Sequence, residues 1–141
     1  MPPMKRNGWM LIGLLLGLMS NAAMADVVVV VSAKSPVGAL SKAQVEDIFL
    51  GKTIRFPSGA EAVVIDQAEG SAVRDEFYDK VFGKSAAQIK AYWSKIIFTG
   101  RGQPPPSVSN TTEMLKRISA NPAAIGYIDR EMMNDTVRVV Y

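Results

Sequence analysis

The chain has 141 residues, with 16 Lys and Arg against 13 Asp and Glu, no His and no Cys. That inventory excludes a Ser–His base pair, a cysteine nucleophile, a disulfide framework and the commonest zinc ligands. A formal charge of +3, with no basic run and no aromatic–basic interleaving, leaves nothing for a nucleic acid to hold.

The first segment reads as an export signal. Lys5 and Arg6 form a basic start, Trp9 to Met19 an apolar stretch of eleven residues, and Ala23-Met24-Ala25 a small-x-small cleavage site. The apolar stretch is too short to span a bilayer, which needs about 20 residues. The expectation is a cleaved signal over residues 1–25, a chain starting at Asp26, no membrane insertion after cleavage, and a periplasmic location. A Cys-free exported chain suits a bacterial periplasm better than eukaryotic secretion. Losing Lys5 and Arg6 lowers the charge from +3 to +1 over the remaining 116 residues, which read as one domain, 26–141.

Val27 to Val31 are five consecutive valines, predicting a strand buried on both faces. Ser32-Ala33-Lys34-Ser35-Pro36 breaks it. Loops at the carboxyl ends of strands are where α/β sheets bind ligands, so Ser32 and Ser35 are candidate anion contacts as well as ordinary turn residues. Ser41 with Gln44 is a capping box that opens a helix burying Val45, Ile48 and Phe49, with Gly51 placed to end it.

Val63 to Phe77 is the stretch with the most chemistry. An apolar strand, Ala62 to Ile65, turns through Asp66 to Gly70 into a helix with apolar positions Val73, Phe77 and Val81. Ser71 stands at its N-cap. Unpaired N–H groups and the positive end of the helix dipole meet there, which suits a small anion; Ser71 as a cap alone is the simpler alternative. Arg74 falls at the third helical position, where a cation opposes the dipole. A bound anion would resolve that conflict, and so would pairing with Asp66 or Glu69.

The helix runs from Ala72 to Phe82, with Gly83 as C-cap. Ser85 and Gln88 form a second capping box, and the helix they open carries Ile89, Tyr92 or Trp93, Ile96 and Ile97 as its core face. Thr99 to Pro106 is a loop stiffened by three prolines. Arg101, between two glycines, is a second candidate cation or a solvated loop residue. Asn110 caps a helix burying Met114, Leu115 and Ile118. Strands at Ile125–Ile128 and Thr136–Val140 follow, joined through Asn134-Asp135. The order predicts an α/β fold with a mixed sheet flanked by helices.

Several segments together carry a family resemblance. These are Leu40-Ser41, Val45, Ile48-Phe49-Leu50-Gly51-Lys52, Glu69-Gly70-Ser71 before a helix with Phe77, Trp93, and Pro122-Ala123-Ala124-Ile125-Gly126-Tyr127. In order and spacing the chain resembles the phosphate-binding proteins of bacterial phosphate ABC transporters, and most closely their small, single-lobe forms with a type 2 periplasmic-binding domain. The resemblance implies that the Gly70-Ser71 turn contacts phosphate or a similar oxyanion, through the Ser71 hydroxyl and N–H and the N–H groups of Ala72 and Val73. The family often has an arginine just before this loop, where this chain has Asp66-Gln67. It commonly continues Gly-Ser-Gly-Thr, where this chain has Gly70-Ser71-Ala72-Val73. Arg74 is the candidate replacement for the missing charge. The family's two lobes close over the anion, and this chain covers one of them. A membrane transporter, a sensor component or a second copy is therefore an implied partner. No cofactor is implied, and no Walker-type phosphate loop is present, with no Gly-Lys-Ser/Thr following a glycine at the required spacing. Three functions follow: an oxyanion-binding module, an interaction or sensory adaptor that kept the fold without the ligand, and, far behind, an enzyme.

Overall fold

The five valines form the middle of the molecule. A computed structural model describes residues 26–141; the expected export signal and its cleavage site lie outside the described residues. Strand β1, Val27–Ser32, is buried along its whole length. It pairs antiparallel with β5, Ala124–Asp129, in a register running from Val27 opposite Asp129 to Val31 opposite Ile125. On its other side it pairs antiparallel with β6, Val137–Val139. Strand β2, Val63–Val64, joins β5 in parallel, which gives a mixed sheet of order β2-β5-β1-β6.

Side chains alternate across a strand, so the valines serve two cores. Val27, Val29 and Val31 pack under helices α1 (Lys42–Phe49), α2 (Ala72–Phe82) and α3 (Ala86–Phe98), with Phe49, Phe77, Val81, Ile89 and Tyr127. Val28 and Val30 pack on the other face, with Met114 and Ile118 of helix α4 (Thr111–Ala120). Helices on both faces explain why the central strand carries no alternation in polarity. The fold is α/β, a mixed sheet flanked by helices.

The helix starts are local and follow their residues. Ser41 Oγ accepts the Gln44 N–H at 3.1 Å while Gln44 Oε1 accepts the Ser41 N–H at 2.9 Å. Ser85 and Gln88 make the same reciprocal pair. Asn110 caps α4 through the Glu113 N–H. Gly83, at φ 60°, ends α2 in the left-handed region.

Three expectations change. The strand expected over Ala62–Ile65 keeps two residues beside β5. The chain then crosses to a separate two-stranded parallel sheet of β3 (Asp66–Gln67) and β4 (Ser107–Val108). The three prolines of the loop lack N–H groups, and the last contributes an acceptor: Pro106 O takes the Asp66 N–H at 2.9 Å. The last strand is shorter than expected, and a 3-10 turn at Arg130–Met132 precedes it. In α3 only Ile89 is fully buried. Ile97 is 45% exposed and the neighbouring Phe98 92%, so the second half of this helix holds an apolar surface outside the core.

Gly126 sets the distance between β5 and α4. A Cβ there would stand 2.4 Å from Met114 Sδ and 3.1 Å from Ile118 Cδ1, and both side chains are fully buried. Gly126→Val should therefore cost about 1–3 kcal/mol by overpacking, read as a lower urea midpoint with an unchanged m-value. A wild-type midpoint would show that α4 does not rest on this strand.

Candidate functional site

The site grows from the point where the chain leaves β2. Gly70, at φ 85°, allows the turn into α2 that a side-chain-bearing residue would resist. Ser71 then caps the helix: its Oγ accepts the Arg74 N–H at 3.3 Å and donates to Gln67 Oε1 at 3.1 Å. Gln67 is buried, and its Nε2 donates to the Tyr127 carbonyl at 3.0 Å. The Ser71 hydroxyl is thus already engaged as donor and acceptor. The N–H groups of Ala72 and Val73 precede the first intrahelical bond and lie at the positive end of the α2 dipole. Ala72 is exposed and Val73 half-buried.

Arg74 runs along α2 towards Tyr78 rather than out to solvent. Its Nε donates to the Tyr78 hydroxyl at 2.9 Å and lies 3.8 Å from Asp66 Oδ2, and the guanidinium stands 4.9 Å from the Tyr78 ring centre. Its Nη1 is buried with no hydrogen-bond partner among the described residues. Burial works against the Arg74 charge, but Tyr78 and Asp66 outweigh it, and its pKa is raised. Of the two carboxylates that the sequence offered Arg74, it pairs with Asp66. Glu69 instead faces Lys90 at 3.6 Å, both well exposed, a contact worth little.

Asp66 is the centre of this cluster. Its Oδ2 accepts the Tyr78 hydroxyl; its Oδ1 accepts the Tyr127 hydroxyl and, at 2.8 Å, the Gln67 N–H. Burial first, and the neighbouring Asp66 second, push both phenols well above their ordinary pKa. Tyr127 is held from behind by a stacked Phe77, with ring centres 3.9 Å apart.

Beside the cluster opens a cleft of about 460 Å³, whose lining includes Asp66, Gln67, Arg74, Tyr78, Lys90, Trp93, Ile97, Pro104 and Pro105. Gly70, Ser71, Ala72, Val73 and Arg74 are brought together by the turn and the first helical turn. Ser32 and Ser35 are not. Strand β1 runs antiparallel to β5, so its carboxyl end lies beside the start of β5, whereas Tyr127 and Asp129 lie towards the other end. Both hydroxyls there accept backbone N–H groups, from Lys34 and Val37 at 3.2 Å each. Arg101 is exposed in the turn after α3, its backbone N–H on Ile96 O at 3.1 Å. Sequence reasoning missed Gln67, Tyr78 and Tyr127 as parts of the site. One signal was available for Tyr78: it stands four residues after Arg74, on the same helix face.

No protein-family model matches the chain, and no curated protein matches it. Solved structures do. A protein described as a phosphate ABC transporter substrate-binding protein, from Clostridium perfringens with bound phosphate, superposes at a TM-score of 0.64 and 22% identity, over 81% of this chain and 43% of its own. An ABC-type phosphate transport receptor from Vibrio cholerae gives 0.62 and 17%, over 81% and 44%. PstS from Borrelia burgdorferi gives 0.60 and 13%, over 81% and 46%. The chain therefore shares the fold of part of these phosphate-binding proteins and spans less than half their length.

Proposed function

We propose that this chain is a one-lobe binding module for phosphate or a similar oxyanion, exported to the periplasm and working beside a transporter or sensor component or a second copy. The ligand's seat is the start of α2, with N–H groups from Ala72 and Val73 and charge from Arg74. The observation that supports this most is a mostly buried guanidinium carried on the first turn of α2, with an Nη1 that has no hydrogen-bond partner among the described residues, on a fold shared with phosphate-binding proteins. With Ser71 Oγ spent on Gln67 and Arg74, its contribution is to hold the turn.

The N–H side of the seat is open to water at Ala72, which weakens charge-assisted bonds. Calorimetric titration of the purified protein at low salt should give a phosphate Kd of micromolar or weaker, about −8 kcal/mol or less in magnitude. Arg74→Ala should weaken binding further while sulfate and chloride serve as controls. Absence of any phosphate binding at millimolar ligand, in the wild type and in an Asp66→Asn variant that lacks the neighbouring carboxylate charge, would remove the reading.

A second reading has its own observation. Ile97 and Phe98 stand exposed on α3, and Trp93, Pro104 and Pro105 line the cleft on the same side. An adaptor that kept the fold and lost the ligand would use such a surface for a protein partner. The same titration separates the two.

A further inference from the structure

We infer that Asp66 limits the affinity of this seat: its carboxylate is the chain's own anion, placed where it competes with an incoming oxyanion for Arg74. The inference rests on the oxyanion reading above and assigns the residue that tunes it. Two hydroxyls, from Tyr78 and Tyr127, one backbone N–H, from Gln67, and one guanidinium, from Arg74, converge on the two oxygens of Asp66. Every partner is a donor, and a carboxylate is an acceptor only. Such a set of hydroxyl, amide and guanidinium donors is what a protein ordinarily presents to an anionic ligand. Here the ligand is a side chain, with 11% of its surface exposed.

Tethering gives that carboxylate a high effective concentration, so a free anion meets Arg74 already neutralised. It also meets a fixed like charge nearby. Yet the engagement of Arg74 is incomplete. The closest ion-pair approach is 3.8 Å, Nε is given to Tyr78, and Nη1 has no partner among the described residues. The guanidinium thus retains donor capacity that Asp66 does not use, and the carboxylate acts as a competitor rather than a permanent plug. Glu69, the other carboxylate on the turn, does not take this role, because it faces Lys90 in solvent.

The test removes the charge and keeps the shape. Asp66→Asn retains an acceptor for the phenols, and it should bind inorganic phosphate at least about tenfold more tightly than wild type by calorimetry, with the gain shrinking as salt is raised. Asp66→Ala instead empties the carboxylate's place. Sodium formate at tens of millimolar should raise its melting temperature relative to sodium chloride at equal ionic strength, and should leave the wild type unmoved. If the wild type binds phosphate and Asp66→Asn binds no more tightly, the inference is wrong and the oxyanion reading survives. If neither protein binds phosphate but formate stabilises Asp66→Ala, Asp66 is the resident anion and the oxyanion reading is lost. If neither protein binds phosphate and formate has no effect, both are lost. Should Asp66→Ala fail to fold, the Asp66→Asn titration decides alone.

Discussion

Phe77→Ala is expected to lower the unfolding free energy by about 3–5 kcal/mol, the range for truncating a fully buried phenylalanine. The position explains the size. Phe77 is 0% exposed and touches aromatic neighbours on three sides: stacked on Tyr127 at 3.9 Å, tilted against Phe49 at 4.8 Å, and edge-on to Phe82 at 5.6 Å. Rings on α1, α2 and β5 cannot all move in to fill the space, so a cavity remains and its cost adds to the lost transfer energy. The loss also reaches the site, since the ring that carries the Tyr127 hydroxyl loses its backing. Equilibrium urea unfolding followed by fluorescence and by circular dichroism measures the change. A loss below about 1 kcal/mol would mean that the aromatic cluster is not the core of this face.

The second large effect is a loss of stability at alkaline pH. Burial and the Asp66 carboxylate raise the folded pKa of both Tyr78 and Tyr127, whereas unfolded tyrosines ionise near 10. Below that value both states hold the phenol protons and the contribution is complete. Above it the unfolded chain releases protons that the folded one keeps, so stability falls as pH rises towards the folded pKa. Each such tyrosine contributes a slope of up to about 1.4 kcal/mol per pH unit. Denaturation midpoints from about pH 9 to about pH 11 should therefore fall more steeply for the wild type than for Tyr78→Phe/Tyr127→Phe. The difference between the two proteins cancels the lysines that titrate in the same range. Parallel curves would show that the phenols are not held neutral by the fold.

The features legible in the residues are those whose cause is local. A serine and a glutamine three apart specify a helix start wherever they stand, and both capping boxes form as read. Five valines admit a strand with two apolar faces and little else. What stayed hidden is assembled across distance. Strands β3 and β4 are two polar-to-mixed residues each, paired across some 40 positions of chain, with no periodicity to detect. The Asp66 cluster draws on β3, α2 and β5, and no window of sequence contains all three. Ser32 and Ser35 show a different gap. The carboxyl-end rule belongs to parallel strands, and the direction of β1 is set by partners that appear only near the chain's end. Phe98 marks the limit of helical periodicity, which says which residues share a face but not whether anything covers it.

The arrangement of the central sheet also sets an order of events in time. Strand β1 lies between β5 and β6, and neither partner exists until the ribosome has reached the last part of the chain. At ordinary elongation rates that is a wait on the order of 10 s. Through that interval five uncharged, β-branched residues have no ladder to join, and theirs is a composition prone to stack with other copies of itself. Asp26 before them and Lys34 after them are the nearest charges, placed as gatekeepers at each end. A segment that ends up fully enclosed is thus one that must be kept apart from its neighbours longest while the polypeptide is being made.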